Sequence, residues 1–282
     1  MITEKSLKTG NWKLEISPKR SLGQNFLINA GILEKIVSAA ELSLNDTVLE
    51  IGPGTGNLTK PLSEKAGQVI AIEKDHRLIE ELHEKFKNTN VTIIEGDILK
   101  LDIEKLFENC KLKIENCDYK VIANIPYYIT SNLLRTIFEK WPRPKLIVLT
   151  IQKEVAQRIV AKPPNMSLLA LSVQFYAEPK IIGYISRGSF RPMPKVDSAI
   201  IRLTPLQGPL SEARLRGSEK FFKVAKAGFS GKRKQLINNL SKNFGIIRGD
   251  LLKAFKEVGI EPDVRAENLS LEQWLTLSKK ID

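Results

Sequence analysis

The sequence predicts an α/β protein in which helices cover both faces of a mostly parallel, doubly wound sheet, followed by a smaller domain made only of helices. Between residues 46 and 151, short apolar runs alternate with amphipathic stretches, the pattern of repeated strand–helix units. After residue 203 the strand signal ends and helical periodicity remains. The 282 residues, 42% of them hydrophobic, suffice for one large core and a smaller appendage.

Five apolar runs predict buried strands, because they are rich in β-branched residues and apolar on both faces. They span residues 47–51, 69–72, 91–94, 120–123 and 146–151. Two later runs, residues 172–176 and 198–203, are expected to complete the same sheet.

Helices are predicted where apolar residues recur at three- and four-residue spacing. In the first part of the chain these are residues 76–86 and 131–140. Residues 204–209 predict a linker, beyond which residues 218–243, 250–258 and 270–280 have helical periodicity. We therefore predict a first domain over residues 1–204 and a helical domain over residues 205–282.

The net charge indicates a polyanionic partner. Lys and Arg total 44 against 32 Asp and Glu, which gives a charge of +12 and a pI near 9.5. The surplus is concentrated in residues 5–20, 180–202 and 220–242, whereas residues 73–102 are nearly balanced. A clustered surplus favours a face that binds nucleic acid or an anionic membrane surface.

Several classes of protein are disfavoured. No apolar run approaches the ~20 residues that a membrane-spanning helix needs, and residues 1–17 lack the apolar core of a signal peptide. Cys110 and Cys117 allow a single disulfide, but two reduced thiols are the favoured prediction. His76 and His83 do not have the four-residue spacing of a helical metal-binding pair and are expected at the surface. We expect a cytoplasmic protein without a metal site.

A glycine-rich loop over residues 50–57 follows the first predicted strand. Glycines there let the backbone approach a ligand closely, so Gly52 and Gly54 are expected to contact it. A dinucleotide-binding loop would have its third Gly or Ala at position 57, where this chain has Asn57. With Glu50 and Gly56, the segment matches the Glu-x-Gly-x-Gly-x-Gly pattern of Rossmann-like class I S-adenosylmethionine-dependent methyltransferases, and an NAD-linked oxidoreductase is disfavoured.

Two acidic residues at later strand ends support a cofactor site. Glu73 ends the second predicted strand, where a carboxylate can accept hydrogen bonds from ribose hydroxyls. Asp97 follows the third, where it can accept from the amine of the cofactor's adenine while Ile98 packs on the ring. Each acid alone would be explained as well by a helix cap or a solvated strand end. Ligands of open α/β sheets bind at the carboxyl ends of the strands, which favours one shared site.

The fourth strand ends in Asn124-Ile125-Pro126-Tyr127, which predicts the catalytic turn. The amine N6 of adenine is a poor nucleophile because its lone pair is delocalised into the ring. Hydrogen bonds from N6–H to the side-chain oxygen of Asn124 and the carbonyl of Ile125 would favour a pyramidal, nucleophilic amine. Pro126 would rigidify the turn and Tyr127 would stack on the base, a contact worth roughly 1–3 kcal/mol.

These residues resemble a known family. The tetrapeptide is similar to the Asn-(Leu/Ile/Pro)-Pro-Tyr motif of amino-group methyltransferases, and the chain from about residue 19 onwards resembles the ribosomal RNA adenine dimethyltransferases of the KsgA type. Residues 19–27 and 190–199 match further motifs of that family, and residues 228–240 and 262–270 resemble its KsgA branch.

The resemblance implies further roles. Asn25 and Leu27 would contact S-adenosylmethionine, and Phe190 would stack on the target adenine opposite Tyr127. The KsgA branch dimethylates N6 of two adjacent adenosines in a loop near the 3′ end of small-subunit ribosomal RNA, on an assembling (pre-30S) subunit. One departure is that Leu169-Ala170 stand where the family usually has Gly-Arg, so an RNA contact by that arginine is not expected.

We expect Arg191, Lys195 and the run Lys232-Arg233-Lys234 to bind RNA phosphates, in a chain that acts as a monomer. A solvated charge run explains the last three as well. Two alternative functions stay open at this point. One is an Erm-type enzyme that methylates large-subunit RNA, and the other is an RNA-binding assembly factor without activity.

Overall fold

The computed structural model describes residues 17–110 and 119–281. Residues 5–16 of the predicted basic cluster at residues 5–20 lie outside the described residues. Cys117, one of the two predicted reduced thiols, also lies outside them. No helix within the described ranges is long and apolar enough to cross a membrane.

A seven-stranded mixed sheet forms the centre of the first part of the chain. Its strands in chain order are β2 (Thr47–Ile51), β3 (Gln68–Glu73), β4 (Val91–Glu95), β5 (Tyr119–Asn124), β6 (Leu146–Gln152), β7 (Ala177–Ile185) and β9 (Ser198–Pro205). The spatial order is β4-β3-β2-β5-β6-β9-β7. The first five strands are parallel, and β9 and β7 are antiparallel additions. A separate two-stranded sheet pairs β1 (Phe26–Leu27) with β8 (Phe190–Arg191).

Helices cover both faces of the sheet, which confirms the predicted fold class. Leu49, Val121 and Ile147 are buried in one core, while their neighbours Val48 and Ile122 are buried in another on the opposite face. The helices of this part are α1 (Ala30–Ala39), α2 (Thr59–Ser63), α3 (His76–Lys85), α4 (Ile103–Asn109), α5 (Thr130–Lys140), α6 (Lys153–Ile159) and α7 (Leu168–Gln174).

The predicted strand at residues 172–176 is wrong, because most of this segment belongs to α7. The side chain of Ser167 accepts a hydrogen bond from the backbone N–H of Ala170 and so starts the helix. Leu171 and Phe175, four residues apart, are both buried against the C-terminal helices. That helical spacing outweighs the strand propensity of the segment, and the strand begins at Ala177 instead.

The C-terminal part contains five α-helices among its described residues: α8 (Gly208–Arg216), α9 (Ser218–Gly228), α10 (Leu236–Phe244), α11 (Arg248–Val258) and α12 (Leu271–Lys280). They enclose a second core, which also includes residues of α7 and in which Trp274 is fully buried. The single helix predicted over residues 218–243 is two helices, and the predicted linker is divided between the end of β9 and the start of α8. The boundary after residue 204 stays a prediction.

Candidate active site

The carboxyl ends of the central parallel strands border one deep cleft. It encloses about 940 Å³ of empty space, counting its open mouth. Eleven of the twelve residues predicted for cofactor binding or catalysis line it: Asn25, Gly52, Gly54, Glu73, Asp97, Ile98, Asn124, Ile125, Pro126, Tyr127 and Phe190. The predicted residues therefore converge on one place, as the strand order requires.

The glycine loop forms the floor of the cleft in a conformation that favours glycine. Gly52 and Gly54 have φ angles of +69° and +58°. A Cβ on Gly54 would lie 2.8 Å from the ring of Phe26, whereas nothing in the chain lies within 4 Å of the corresponding position at Gly52. Gly54 is therefore needed for packing against β1, and Gly52 leaves the backbone open to a ligand.

The Glu73 carboxylate is held rigidly at the end of β3. Its Oε1 accepts from the backbone N–H groups of Lys74 and Asp75 at 2.9 and 2.8 Å, and its Oε2 accepts from Gly54 at 3.0 Å. Burial raises its pKa, and these three donors oppose the rise. With about four acceptor sites on a carboxylate, capacity for a ribose hydroxyl remains.

Glu50 lies behind the glycine loop and is 1% exposed. Burial raises its pKa to about 8, and the neighbouring Glu73 adds to the rise. Its Oε2 has no hydrogen-bond partner within the described residues. The first acid of the loop motif is therefore a buried carboxyl whose pKa lies well above that of an exposed glutamate.

Asp97 forms an ion pair with Lys74 that was not predicted from the sequence. Its Oδ2 lies 2.9 Å from the ammonium of Lys74, and its Oδ1 accepts from the backbone N–H of Leu99 at 3.2 Å. Burial works against the charged form, but the hydrogen bond from Lys74 keeps the pKa of Asp97 below its usual value. Ile98, which is 5% exposed, packs beside it. An adenine amine must share Asp97 with Lys74.

The side chain of Asn124 has one orientation fixed by the fold. Its Nδ2 donates to the backbone carbonyl of Asn25 at 3.1 Å. This bond fixes the position of the Nδ2 group. The side-chain oxygen of Asn124, which lines the cleft, therefore remains available to accept a hydrogen bond. Ile125 is almost fully buried, which anchors the turn that follows.

Tyr127 is half-buried, and its hydroxyl lies 2.7 Å from that of Ser198 at the start of β9. Burial raises the pKa of Tyr127. Tyr128, which was not predicted, also lines the cleft and is 59% exposed. Adjacency to Tyr127 was the only sequence signal for Tyr128, whereas Ser198 lies within the motif over residues 190–199, which gave it no role of its own.

Phe190 and Leu27 face each other across the small β1–β8 sheet. Phe190 lines the cleft but is only 1% exposed, so stacking on a base would require its face to be uncovered. Leu27 is the one predicted residue that does not line the cleft. It lines a smaller neighbouring pocket together with Gly52 and Asn124, and its carbonyl accepts from Asn57.

The predicted RNA-binding residues lie outside the cleft and are exposed. Arg191 and Lys195 lie on the segment that follows Phe190, and the guanidinium of Arg191 donates to the carbonyl of Phe190 at 2.9 Å. The run Lys232-Arg233-Lys234 lies in the connection between α9 and α10. His76 and His83 are exposed, as predicted, and the described residues contain no cluster of metal-binding side chains.

Comparison with known proteins gives concordant results along nearly the whole chain. The family model for ribosomal RNA adenine dimethylase matches residues 16–282. A protein of Dehalococcoides mccartyi named ribosomal RNA small subunit methyltransferase A is 44% identical over 93% of this chain and 88% of its own length. A protein of the same name from Clostridium botulinum is 41% identical over 94% of both chains.

Two solved structures are similar in fold. A dimethyladenosine transferase from Plasmodium falciparum has a TM-score of 0.73 at 30% identity, over 89% of this chain and 95% of its own. The 23S ribosomal RNA methyltransferase ErmE also has a TM-score of 0.73, at 28% identity over 92% of this chain and all of its own.

Proposed function

The chain belongs to the ribosomal RNA adenine dimethylase family, and on this premise we propose that it dimethylates N6 of two adjacent adenosines in a loop near the 3′ end of small-subunit ribosomal RNA. S-adenosylmethionine is the methyl donor in this family and supplies an electrophilic methyl group on a cationic sulfonium. The proposal depends most on one observation: the oriented oxygen of Asn124 shares a cleft with the glycine loop, Glu73 and Asp97.

The residues of the cleft fit the cofactor. Gly52 offers backbone with no side chain in the way, Glu73 has spare acceptor capacity for a ribose hydroxyl, and Asp97 presents a carboxylate to an adenine amine. Asn25 bounds the same space, and Ile98 supplies an apolar surface for the purine. Leu27 is expected to contact the cofactor from the smaller neighbouring pocket, which Gly52 and Asn124 also line.

Catalysis is proposed to consist chiefly of positioning. The Asn124 oxygen and the Ile125 carbonyl accept hydrogen bonds from N6–H, which directs the nitrogen lone pair towards the donor. Pro126 holds the turn, Tyr127 stacks on the base, and Phe190 closes the other side when its face is uncovered. The methylated amine loses its proton readily to water, so the chain supplies no general base. Holding the two reactants in line accounts for much of such a rate increase.

The target adenosine has to leave its stack to enter this cleft, which favours an RNA loop over a continuous helix. We propose that residues 1–204 hold the cofactor and the base and that residues 205–282 bind the ribosomal particle. Most residues of the second hydrophobic core belong to the C-terminal helices, which supports this division. We further propose that the chain acts as a monomer on a pre-30S particle in the cytoplasm.

The alternatives are weaker on specific grounds. The relatives named for small-subunit methylation are 41–44% identical to this chain, whereas the large-subunit enzyme ErmE is 28% identical. The intact catalytic turn and acids argue against an assembly factor without activity.

The test is to incubate the purified chain with methyl-labelled S-adenosylmethionine and either small or large ribosomal subunits that lack the modification. We expect label in small-subunit RNA, with two dimethyladenosines identified by mass. Label only in large-subunit RNA would overturn the small-subunit assignment. No transfer to either subunit would overturn the proposed activity.

A further inference from the structure

A second concave surface lies next to the active-site cleft, at the same edge of the sheet. It begins where β6 ends, and β6 is the neighbour of β5, which ends in Asn124. Gln152 at the end of β6 pairs with Ser198, whose hydroxyl lies 2.7 Å from that of Tyr127. We call this surface the β6 groove; it is lined by Gln152, Lys153, Arg187, Lys195 and Asp197, among others.

Three cationic side chains face the β6 groove. The described residues contain no ion-pair partner for Lys153, Arg187 or Lys195. The ammonium of Lys153 lies 5.1 Å from the centre of the Tyr184 ring, which is 52% exposed. Unpaired cations beside an exposed aromatic ring are the composition of surfaces that bind single-stranded nucleic acid.

Two carboxylates, Asp197 and Glu154, also line the groove, and Asp197 has a structural role. The Oδ1 of Asp197 accepts from the backbone N–H of Arg187 at 3.0 Å, and its carbonyl accepts from the backbone N–H of Lys153 at 3.0 Å. Asp197 thus ties the two walls of the groove together. The cations outnumber the lining carboxylates, Asp197 and Glu154, by three to two.

We propose that the β6 groove binds the phosphates of nucleotides that flank the target adenosine. When a base enters the cleft, its neighbouring phosphates must pass over the adjoining surface, and the groove is one strand away from the catalytic turn. The proposal rests on the proposed function and extends it, because it adds Lys153 and Arg187 to the RNA contacts. It also distinguishes this groove from the predicted RNA contacts of Lys232-Arg233-Lys234, which lie in the connection between α9 and α10.

The test compares Lys153→Gln and Arg187→Gln with the unchanged chain. Affinity for small subunits that lack the modification is measured at several salt concentrations. A lost phosphate contact makes the plot of log affinity against log salt shallower by about 0.7–0.9, and we expect a shift of this size for each variant. The KM for subunits should rise while the affinity for S-adenosylhomocysteine stays unchanged.

Lys65→Gln is the matched control, because Lys65 is exposed beside the amino end of β3, at the opposite edge of the sheet. It removes the same charge and should leave the salt dependence unchanged. An unchanged slope for both groove variants, or an equal shift for the control, would overturn the proposal. If the unchanged chain fails to methylate small subunits, it is the proposed function that fails instead.

A crosslinking experiment identifies what occupies the groove. Val196 is uncharged, lines the groove and is 38% exposed, so p-benzoylphenylalanine placed there should leave the cations intact. Illumination of the complex should attach the chain to small-subunit RNA close to the modified loop. Crosslinks to ribosomal protein alone, or to RNA far from that loop, would contradict the proposal.

Discussion

Asn124 is the residue on which the proposed chemistry depends most directly. Its amine end is bound to the carbonyl of Asn25, so its oxygen alone is available for the N6–H of adenine. We predict that Asn124→Ala lowers kcat by about a hundredfold or more, the scale on which removal of one preorganised polar group acts. The affinity for S-adenosylhomocysteine should fall only slightly. Single-turnover transfer and calorimetric titration measure the two effects.

Asn243→Ala is the control for this variant. Asn243 also donates to a backbone carbonyl, that of Asn239, but it lies in α10 and does not line the cleft. It should keep kcat within a fewfold of the unchanged chain. If Asn124→Ala turns over normally, the oxygen has no role in transfer.

Glu50 provides a pH test of the buried loop acid. Burial raises its pKa to about 8 from the ordinary glutamate value of 4.5. Between these values the folded chain keeps a proton that the unfolded chain has lost. The contribution of Glu50 to the free energy of unfolding therefore decreases as the pH rises from about 4.5 to about 8, by at most ~1.4 kcal/mol per pH unit. We predict that Glu50→Gln, which cannot ionise, loses less stability than the unchanged chain between pH 5.5 and pH 8.

Urea unfolding at the two pH values measures this difference, since contributions of other groups cancel between the variants. Glu178→Gln, at an exposed position on β7, should have the pH dependence of the unchanged chain. Parallel pH profiles for Glu50→Gln and the unchanged chain would show that Glu50 is ionised in the folded state.

At the residue scale, contiguous motifs were predictable and contacts between distant segments were not. The strand-end positions of Gly52, Glu73 and Asp97 follow from the strand pattern, so their convergence could be predicted. The ion pair of Lys74 with Asp97 joins the ends of two different strands, and its geometry depends on the packing of the cleft. The burial of Phe190 likewise depends on its pairing with β1.

At the scale of elements, β1 packs directly against the glycine loop. The ring of Phe26 occupies the space beside Gly54, whose φ is +58°. We predict that Gly54→Ala weakens binding of S-adenosylhomocysteine at least tenfold, because the added methyl group must displace either the ring or the loop and the backbone is strained as well. Calorimetric titration measures the loss.

Gly249→Ala is the matched control, since nothing lies within 4 Å of its Cβ position in the first turn of α11. It should bind the ligand normally. Normal binding by Gly54→Ala would mean that the loop can move without cost. Partial recovery in the double variant with Phe26→Leu would identify the ring as the main obstacle.

The strands of the sheet were easier to predict than the helices that connect it to the C-terminal part. Buried parallel strands such as β2 and β6 are marked by apolar, β-branched runs. The segment around α7 has an apolar composition too, and its helical character follows from burial of Leu171 and Phe175 against residues more than forty positions later. The break between α9 and α10 follows Gly228, where a Cβ would clash with the ring of Trp274.

At the scale of the whole molecule, the two parts are joined through α7. Phe175 is 1% exposed, and its ring centre lies 4.5 Å from that of Phe221 and 5.0 Å from that of Phe222, both in α9. A residue that precedes the predicted domain boundary thus belongs to the C-terminal core. The two predicted domains should therefore unfold as one cooperative unit.

This coupling predicts the effect of Phe175→Ala. Removal of a buried phenylalanine costs ~3–5 kcal/mol, and the loss should affect both cores because α7 is bonded in sequence to β7 and packed against α9. Hydrogen exchange followed by mass spectrometry should show faster exchange in β5 as well as in α10. Leu44→Ala, at a position that is 75% exposed, should change neither. Faster exchange in α10 with β5 unchanged would mean that the C-terminal helices open independently, and that the boundary after residue 204 is a true break in cooperativity.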